Sequence, residues 1–390
     1  MHPPIYVYDP TVSDPLSKVR GIGRYLQILR EQFKDEWVFT NNTASIPSNC
    51  IFLNPFFSIL KKPLLIRRRA KKQIAIIHDI IPLKYPAHYP SGMKGNIFSL
   101  LNALTLKNYD VIITDSLHSK RDIISYLRVD EKKVKVIYPT LPNMFLNSKF
   151  RILYSSFQKD YCIYVGDATW NKNLVSLAKA IKLADVPCVF IGKVFEPFAP
   201  SNTESDFFRV SQLSEQASSE EPLDMRGTTR NERSHSNVGM RVDLTKKKLL
   251  PVFSHPWQQE LHAFAQEIKD DSHFIFPGYV PDEDLLGYYA HAKLNILASR
   301  DEGFGFSFLE ASSQKCPTLL SDIPIFREIS QNAAFFCDGE NPQDIAEKIK
   351  RLYGDEKLRN NLVLRSQKRL DFFTKPGRFK KEVLDAINNS

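Results

Sequence analysis

The sequence predicts an α/β protein built from two doubly wound domains that face each other across a cleft. Three observations carry that prediction. Short apolar runs alternate with amphipathic stretches along most of the 390 residues. The alternation stops near residues 145–158 and then restarts. No uninterrupted apolar run approaches the ~20 residues of a membrane-spanning helix. Strands that alternate with helices imply parallel sheets covered on both faces, and two such series imply two sheets.

In the first series, IYVY (5–8), QIAIIHD (73–79), DVIITDS (110–116) and VKVIYP (134–139) read as buried strands. Helical spacing fills GRYLQILREQF (23–33), SGMKGNIFSLLNALTLKN (91–108) and SKRDIISYLRV (119–129), with Ser91 and Ser119 as expected caps. The second series opens with YCIYVGD (161–167), a helix from Asn173 through Leu183, and PCVFIGK (187–193). HFIFPGYV (273–280), the helix DEDLLGYYAHA (282–292) and the strand LNILAS (294–299) follow. The helix SFLEASSQ (307–314), the strand PTLLSD (317–322) and a last strand near AAFFCD (333–338) complete it. The expected division is 1–155 for the first domain and 156–368 for the second, with 369–390 as a C-terminal helix packing back on the first. Residues 198–253 are polar, rich in Ser, Glu and Arg and without sustained period, which predicts a largely disordered insertion.

Composition narrows the class. Hydrophobic residues make up 43% and charged residues 25%, an ordinary globular profile. The N-terminal MHPPIYVYDP shows neither the basic nor the apolar region of a secretory signal. Five scattered cysteines fit neither a disulfide framework nor a zinc site, so a reducing cytoplasm is the expected location. Much of the net charge of +9 sits in KKPLLIRRRAKK (61–72), seven cations without an acid, after the apolar IFLNPFFSIL. That pairing suits peripheral contact with an anionic membrane, and it equally suits a solvated helix face. No nucleic-acid-binding motif accompanies the charge, and no nucleic-acid partner is expected.

Ligands of doubly wound sheets bind at the carboxyl ends of the strands, which points to the cleft. After the strand LNILAS, the loop SRDEGFG leads into a helix beginning near Phe306. Its glycines let the backbone approach a ligand, and the free amides of residues 303–306 (Gly303, Phe304, Gly305, Phe306) attract an anion such as a phosphate. Glu302 lies in the loop and Glu310, eight positions on, one turn inside the helix. The two can border one pocket without being the close carboxylate pair of a hydrolase; one can accept from sugar hydroxyls and the other from a ribose diol. Lys172, in the loop after YVGD, is a cation at a helix start, where a cation is locally unfavourable. No Walker A or G-x-S-x-G pattern is present. The D-x-D spacing at 282–284 is accounted for by helix capping, and no His/Cys cluster suggests a metal.

EGFGFSFLEA (302–311) resembles the E-x7-E motif of retaining glycosyltransferases of the GT-B fold, the glycosyltransferase family 4 (group 1) enzymes. GIGRYLQILR (21–30), IHDIIPLKYP (77–86), TDSLHSKRDI (114–123), YVGDATWNKNL (164–174), FPGYVPDEDLLGYYAHA (276–292) and SDIPIFREI (321–329) are similar to further stretches of the family. The resemblance covers nearly the whole chain outside 198–253, and it implies two Rossmann-like domains with an interdomain cleft.

The resemblance also implies roles. Glu302 would hold the donor sugar, Glu310 the nucleotide ribose, and Lys172 with the 303–306 amides the donor diphosphate. His78 would lie near the transferred sugar and Asp79 beside it, although a histidine there also reads as a satisfied core residue. Gly21, Gly23, Arg24 and Asp79 would form the acceptor or phosphate site, with a plain tight turn as the bland reading of the glycines. Tyr279 and Val280 would border the base, or simply pack in a core. Family members commonly carry a second arginine near Lys172, where this chain has Asp167 and Asn171; Arg300 is the expected substitute. No metal or cofactor is expected, only a nucleotide diphosphate sugar as co-substrate, GDP-mannose first because the members that look most similar build bacterial surface polysaccharides. The acceptor is a glycan or a lipid-linked glycan. A nucleotide-sugar epimerase of the same architecture and a non-catalytic transferase subunit are the rival readings. The first would turn over donor without acceptor, and the second would bind no donor.

Overall fold

A computed structural model of the chain describes residues 3–12, 21–146, 160–199, 255–278 and 280–389. Two parallel sheets of six strands each organise it. The first contains β1 (Ile5–Tyr8), β2 (Val38–Thr40), β3 (Ile51–Asn54), β4 (Lys72–Ile76), β5 (Val111–Thr114) and β6 (Val134–Val136), ordered β2-β1-β3-β4-β5-β6. The second contains β7 (Cys162–Val165), β8 (Cys188–Ile191), β9 (Phe274–Ile275), β10 (Leu294–Leu297), β11 (Thr318–Ser321) and β12 (Phe335–Cys337), ordered β12-β11-β10-β7-β8-β9. Every residue of β3, β5, β8, β10 and β11 is buried, as parallel strands covered on both faces require.

The helices of the first half are α1 (Gly21–Phe33), α2 (Ile81–Lys84), α3 (Gly92–Thr105), α4 (Leu117–Leu127) and α5 (Asn143–Leu146). Those of the second are α6 (Leu174–Ala184), α7 (Gln259–Glu267), α8 (Asp282–His291), α9 (Phe306–Ser313), α10 (Pro324–Ser330), α11 (Pro342–Gly354), α12 (Glu356–Thr374) and α13 (Arg378–Asn388). Alternation along the strands sorts the first core into two layers. Val111 and Ile113 of β5 pack with Tyr25, Leu26 and Leu29 of α1 and with Phe379, Val383 and Ile387 of α13. Ile112 between them faces Ile80, Leu106 and Ile123 on the other side. The last helix of the chain therefore completes the core of the first sheet.

Local details differ from the sequence reading. Ser116, not Ser119, caps α4: its side chain accepts from the Ser119 amide at 3.0 Å. Ser91 stands at the cap position of α3 but makes no side-chain cap bond. Gly21 and Gly23 lie inside the first turn of α1 rather than in a loop before it. The 61–72 stretch is irregular rather than a helix face, apart from Lys72, which opens β4. Of the segment read as an insertion, residues 200–253 lie outside the described residues. Phe198 is ordered, stacking on Phe276 at 5.1 Å between ring centroids, so the predicted boundary begins too early.

Candidate active site

In the second sheet the chain runs outward from β7 through β8 to β9, then returns to the other side of β7 with β10. The crevice at the carboxyl ends of β7 and β10 is the crossover point where doubly wound sheets bind ligands. The loop after β7 delivers Lys172 there and the loop after β10 delivers Glu302. Lys172 Nζ meets both Glu302 carboxylate oxygens, at 2.7 and 2.8 Å, and Ser299 Oγ donates to Glu302 Oε1 at 2.8 Å. Burial would lower the Lys172 ammonium, but Glu302, Asp167 and Asp79 more than offset it and hold its pKa above the ordinary value.

The two glycines of the loop have separate physical reasons. Gly305, at φ +96°, takes the left-handed conformation that starts α9, with Phe326 packed where a side chain would point. At Gly303 a first side-chain carbon would come within 2.8 Å of the His78 carbonyl oxygen and 3.1 Å of Asp79 Cβ. The loop therefore presses directly on the His-Asp segment of the first sheet. The Gly303 carbonyl accepts from Ser116 Oγ at 2.8 Å and Ser119 Oγ at 3.2 Å, which fixes this approach. Phe304 is buried in the second core, and Phe306 packs against both cores, so these residues offer backbone rather than side chain to a ligand.

His78 Nδ1 donates to Asp115 Oδ2 at 2.6 Å and Nε2 donates to the Pro55 carbonyl at 3.1 Å. Burial lowers its pKa, but Asp115 and Pro55 outweigh that and raise it above the ordinary value. Both ring nitrogens are thus engaged within the first domain, and the residue meets the Glu302 loop through its backbone. Asp79 lines the cleft beside Gly303, and desolvation there pushes its carboxyl up.

Glu310 is not open to the cleft. Arg24 Nε meets its Oε1 at 3.1 Å and Tyr289 donates to its Oε2 at 3.1 Å. The same guanidinium forks onto Asp282 at 2.5 and 2.8 Å. Asp282 is the first residue of α8 after the cap position, held by Pro281, so an interdomain ion pair and not capping accounts for it. The Gly21 side of α1 reaches Phe306, with 3.9 Å between its side-chain direction and the ring, so α1 and α9 start against each other. Arg300 is not brought to Lys172: it bonds the Trp170 carbonyl at 2.6 Å and Glu340 at 2.9 Å. Val280 packs against the second core, and Tyr279 lies outside the described residues.

Sequence reasoning missed the rest of the interdomain contacts. Glu328 of α10 accepts from the Leu117 and His118 amides at 2.7 and 2.9 Å, closing the start of α4 from the opposite domain. Lys84 bridges Asp122 at 2.6 Å and Asp301 at 2.5 Å. Tyr89 donates to Asn171 Oδ1 at 2.5 Å. Among the described residues, His118, Asp122 and Asp301 are the grouping able to surround a cation, and the Lys84 ammonium sits between its two carboxylates. Ser116 and Glu328 both fall in stretches that carried the family resemblance, which was the available signal.

Residues 244–369 match a family model described as glycosyl transferases group 1. That stretch resembles the group 1 glycosyltransferases. The match opens inside the segment read as an insertion, shortening that segment's unmatched part. The chain is 23% identical to the O-antigen chain mannosyltransferase RfbU of Salmonella typhimurium over 72% of its own length and 61% of RfbU. It is 43% identical to the serotype-specific mannosyltransferase WbdA of Escherichia coli over 70 residues, 18% of this chain and 9% of WbdA. The matches thus span less than two thirds of either relative. Among solved structures, HepE of Anabaena in complex with UDP-glucose superposes with TM-score 0.59 at 13% identity, covering 98% of this chain and 99% of that one. A Rickettsia africae glycosyltransferase superposes with TM-score 0.54 at 13% identity over the full length of both. The fold is GT-B, and the chain resembles bacterial mannosyltransferases.

Proposed function

We propose that the chain is a retaining, metal-independent glycosyltransferase that moves a sugar, mannose first, from a nucleotide diphosphate donor to a glycan or lipid-linked acceptor of a cell-surface polysaccharide. The Lys172–Glu302 pair at the sheet crossover, beside the start of α9, is the observation that carries this reading. Donor binding divides the pair. Lys172 and the amides at the start of α9 take the diphosphate, whose negative charge grows as its bond to the sugar breaks. Glu302 turns to the sugar hydroxyls, held in place by Ser299. A cation and a carboxylate already pointed at one spot need little reorganisation for that exchange. Glu310 reaches the ribose only when Arg24 transfers to Asp282 alone, so we assign Arg24 to closing the cleft over the donor. Phosphates then meet Lys172 as their one side-chain cation from the β7 loop. GDP-mannose is the first donor to test, because RfbU and WbdA are named mannosyltransferases. The acceptor end is proposed to lie at the cytoplasmic face of a membrane.

Thermal shift across GDP- and UDP-sugars tests the reading. One nucleotide sugar raises the melting temperature, and the release of nucleoside diphosphate then depends on acceptor. Turnover without acceptor would instead support an epimerase.

A further inference from the structure

The helix α3 buries one face and leaves a complete apolar stripe on the other. Met93 is 85% exposed, Ile97 57%, Leu100 65% and Leu104 51%. At about 100° per residue these four fall within an arc of about 60° and run about 16 Å along the axis. Gly95, Asn102 and Thr105 occupy the buried side. Scattered exposed leucines need no explanation, but a continuous stripe on one helix face does.

Its surroundings specify what covers it. Asn102 Nδ2 donates to the carbonyls of Ser58, Ile59 and Lys61, at 3.2, 2.9 and 2.7 Å, and Asn108 Nδ2 donates to the Ile66 carbonyl at 3.1 Å. The basic stretch is thereby fastened alongside α3, and Ile66, 63% exposed, extends the apolar surface. Arg68 pairs with Asp110, and Arg69 bonds the carbonyls of Thr43 and Ala44. Lys61, Lys62, Arg67 and Lys71 are exposed without an ion pair among the described residues, as are Lys94 on α3 and Lys107 just beyond it. From residue 56 to 109 the sole acid is Asp79, which lies in the cleft beside Gly303 rather than along α3.

We propose that α3 lies in the surface of an anionic lipid bilayer, with Met93, Ile97, Leu100 and Leu104 in the acyl boundary and the neighbouring lysines and arginines on the headgroups. An apolar stripe flanked by cations is the chemistry that an anionic bilayer recognises; a second copy of the chain would bring the same positive charge against itself. The inference rests on the membrane-side reading above and supplies its element. Between α2 and α3, Tyr85 and Tyr89 touch Asp301 and Asn171 across the cleft, so a bilayer under α3 lies beside the cleft mouth.

The test uses the full chain with vesicles of phosphatidylcholine alone or mixed with phosphatidylglycerol. We expect binding to the mixed vesicles, and emission from Leu100→Trp that shifts to the blue and is quenched by bromine-labelled acyl chains. Ile97→Glu with Leu100→Glu lowers vesicle affinity roughly tenfold or more, at low and moderate salt alike, with melting unchanged. Neutralising Lys61, Lys62, Arg67 and Lys71 weakens binding chiefly at low salt. Equal binding by the double glutamate variant, a Leu100→Trp side chain that stays in water, or no binding to either vesicle overturns the proposal. So does a parent dimer that the double variant dissociates while neither binds vesicles. The donor-induced thermal shift, measured on the same samples, separates the two readings: its persistence in any failed docking test leaves the transferase assignment standing.

Discussion

Arg24, on the first helix, joins the two halves of the molecule by meeting Glu310 at 3.1 Å and forking onto Asp282 at 2.5 and 2.8 Å. The guanidinium also lies 4.8 Å from the Phe145 ring centroid, and Glu310 has no other cation beside it among the described residues. Arg24→Met should therefore leave a buried carboxylate with only Tyr289, a loss of about 3 kcal/mol that sits at the low end for broken buried pairs because Asp282 stays half-exposed. Calorimetric melting reads this directly. Arg24→Lys should recover only part of it, since an ammonium cannot fork onto Asp282 while bonding Glu310.

At the crossover, Glu302→Gln should cut turnover well over tenfold with the fold intact, because the amide keeps the shape but loses the charge that contacts the sugar in the transition state. Comparing kcat and KM separates this from weakened ground-state binding. A variant that loses affinity alone would place Glu302 in uniform donor binding instead.

The His78–Asp115 pair makes stability depend on pH in a defined direction. The folded pKa of His78 stands above the ordinary 6.5, so its contribution is fully present below that value and is lost as pH rises through the folded pKa. Melting temperature measured across this window should fall with rising pH in the parent, and His78→Gln should flatten that part of the profile. Identical slopes in both proteins would show that folding leaves the pKa of His78 unchanged.

Glu328→Ala removes the carboxylate that serves two amides at the start of α4, together with its bond from Tyr138 at 2.9 Å. A loss of about 1 to 2 kcal/mol follows from the value of helix-start acceptors. Because donor and acceptor lie in different domains, the variant should also open the cleft, seen as an increased radius of gyration in small-angle scattering.

The sequence made the second sheet legible because β7 and β8 are continuous apolar runs and β10 and β11 are short, largely apolar ones, with glycine, proline or serine close by. It hid β2, which is three residues long, and β3, whose Ile51–Asn54 merges with the apolar residues that follow. Lys172 and Glu302 were legible as site residues because each sits in a short loop of recognisable pattern. Their direct pairing was not, because the two are 130 positions apart and only the strand order brings them together. Arg24 and Glu310 are 286 positions apart, so the engagement of Glu310 had no local trace. The same applies to Arg300, whose bonds to Trp170 in the β7 loop and Glu340 in the loop after β12 come from the strand order.

Calorimetric titration of GDP-mannose and other nucleotide sugars into the parent and Lys172→Ala tests the crossover site most directly. The account predicts that at least one nucleotide sugar binds the parent and that Lys172→Ala weakens it by roughly tenfold or more, as loss of a charge-assisted phosphate contact should. Undiminished affinity in Lys172→Ala, or no binding of any nucleotide sugar to the parent, would contradict it.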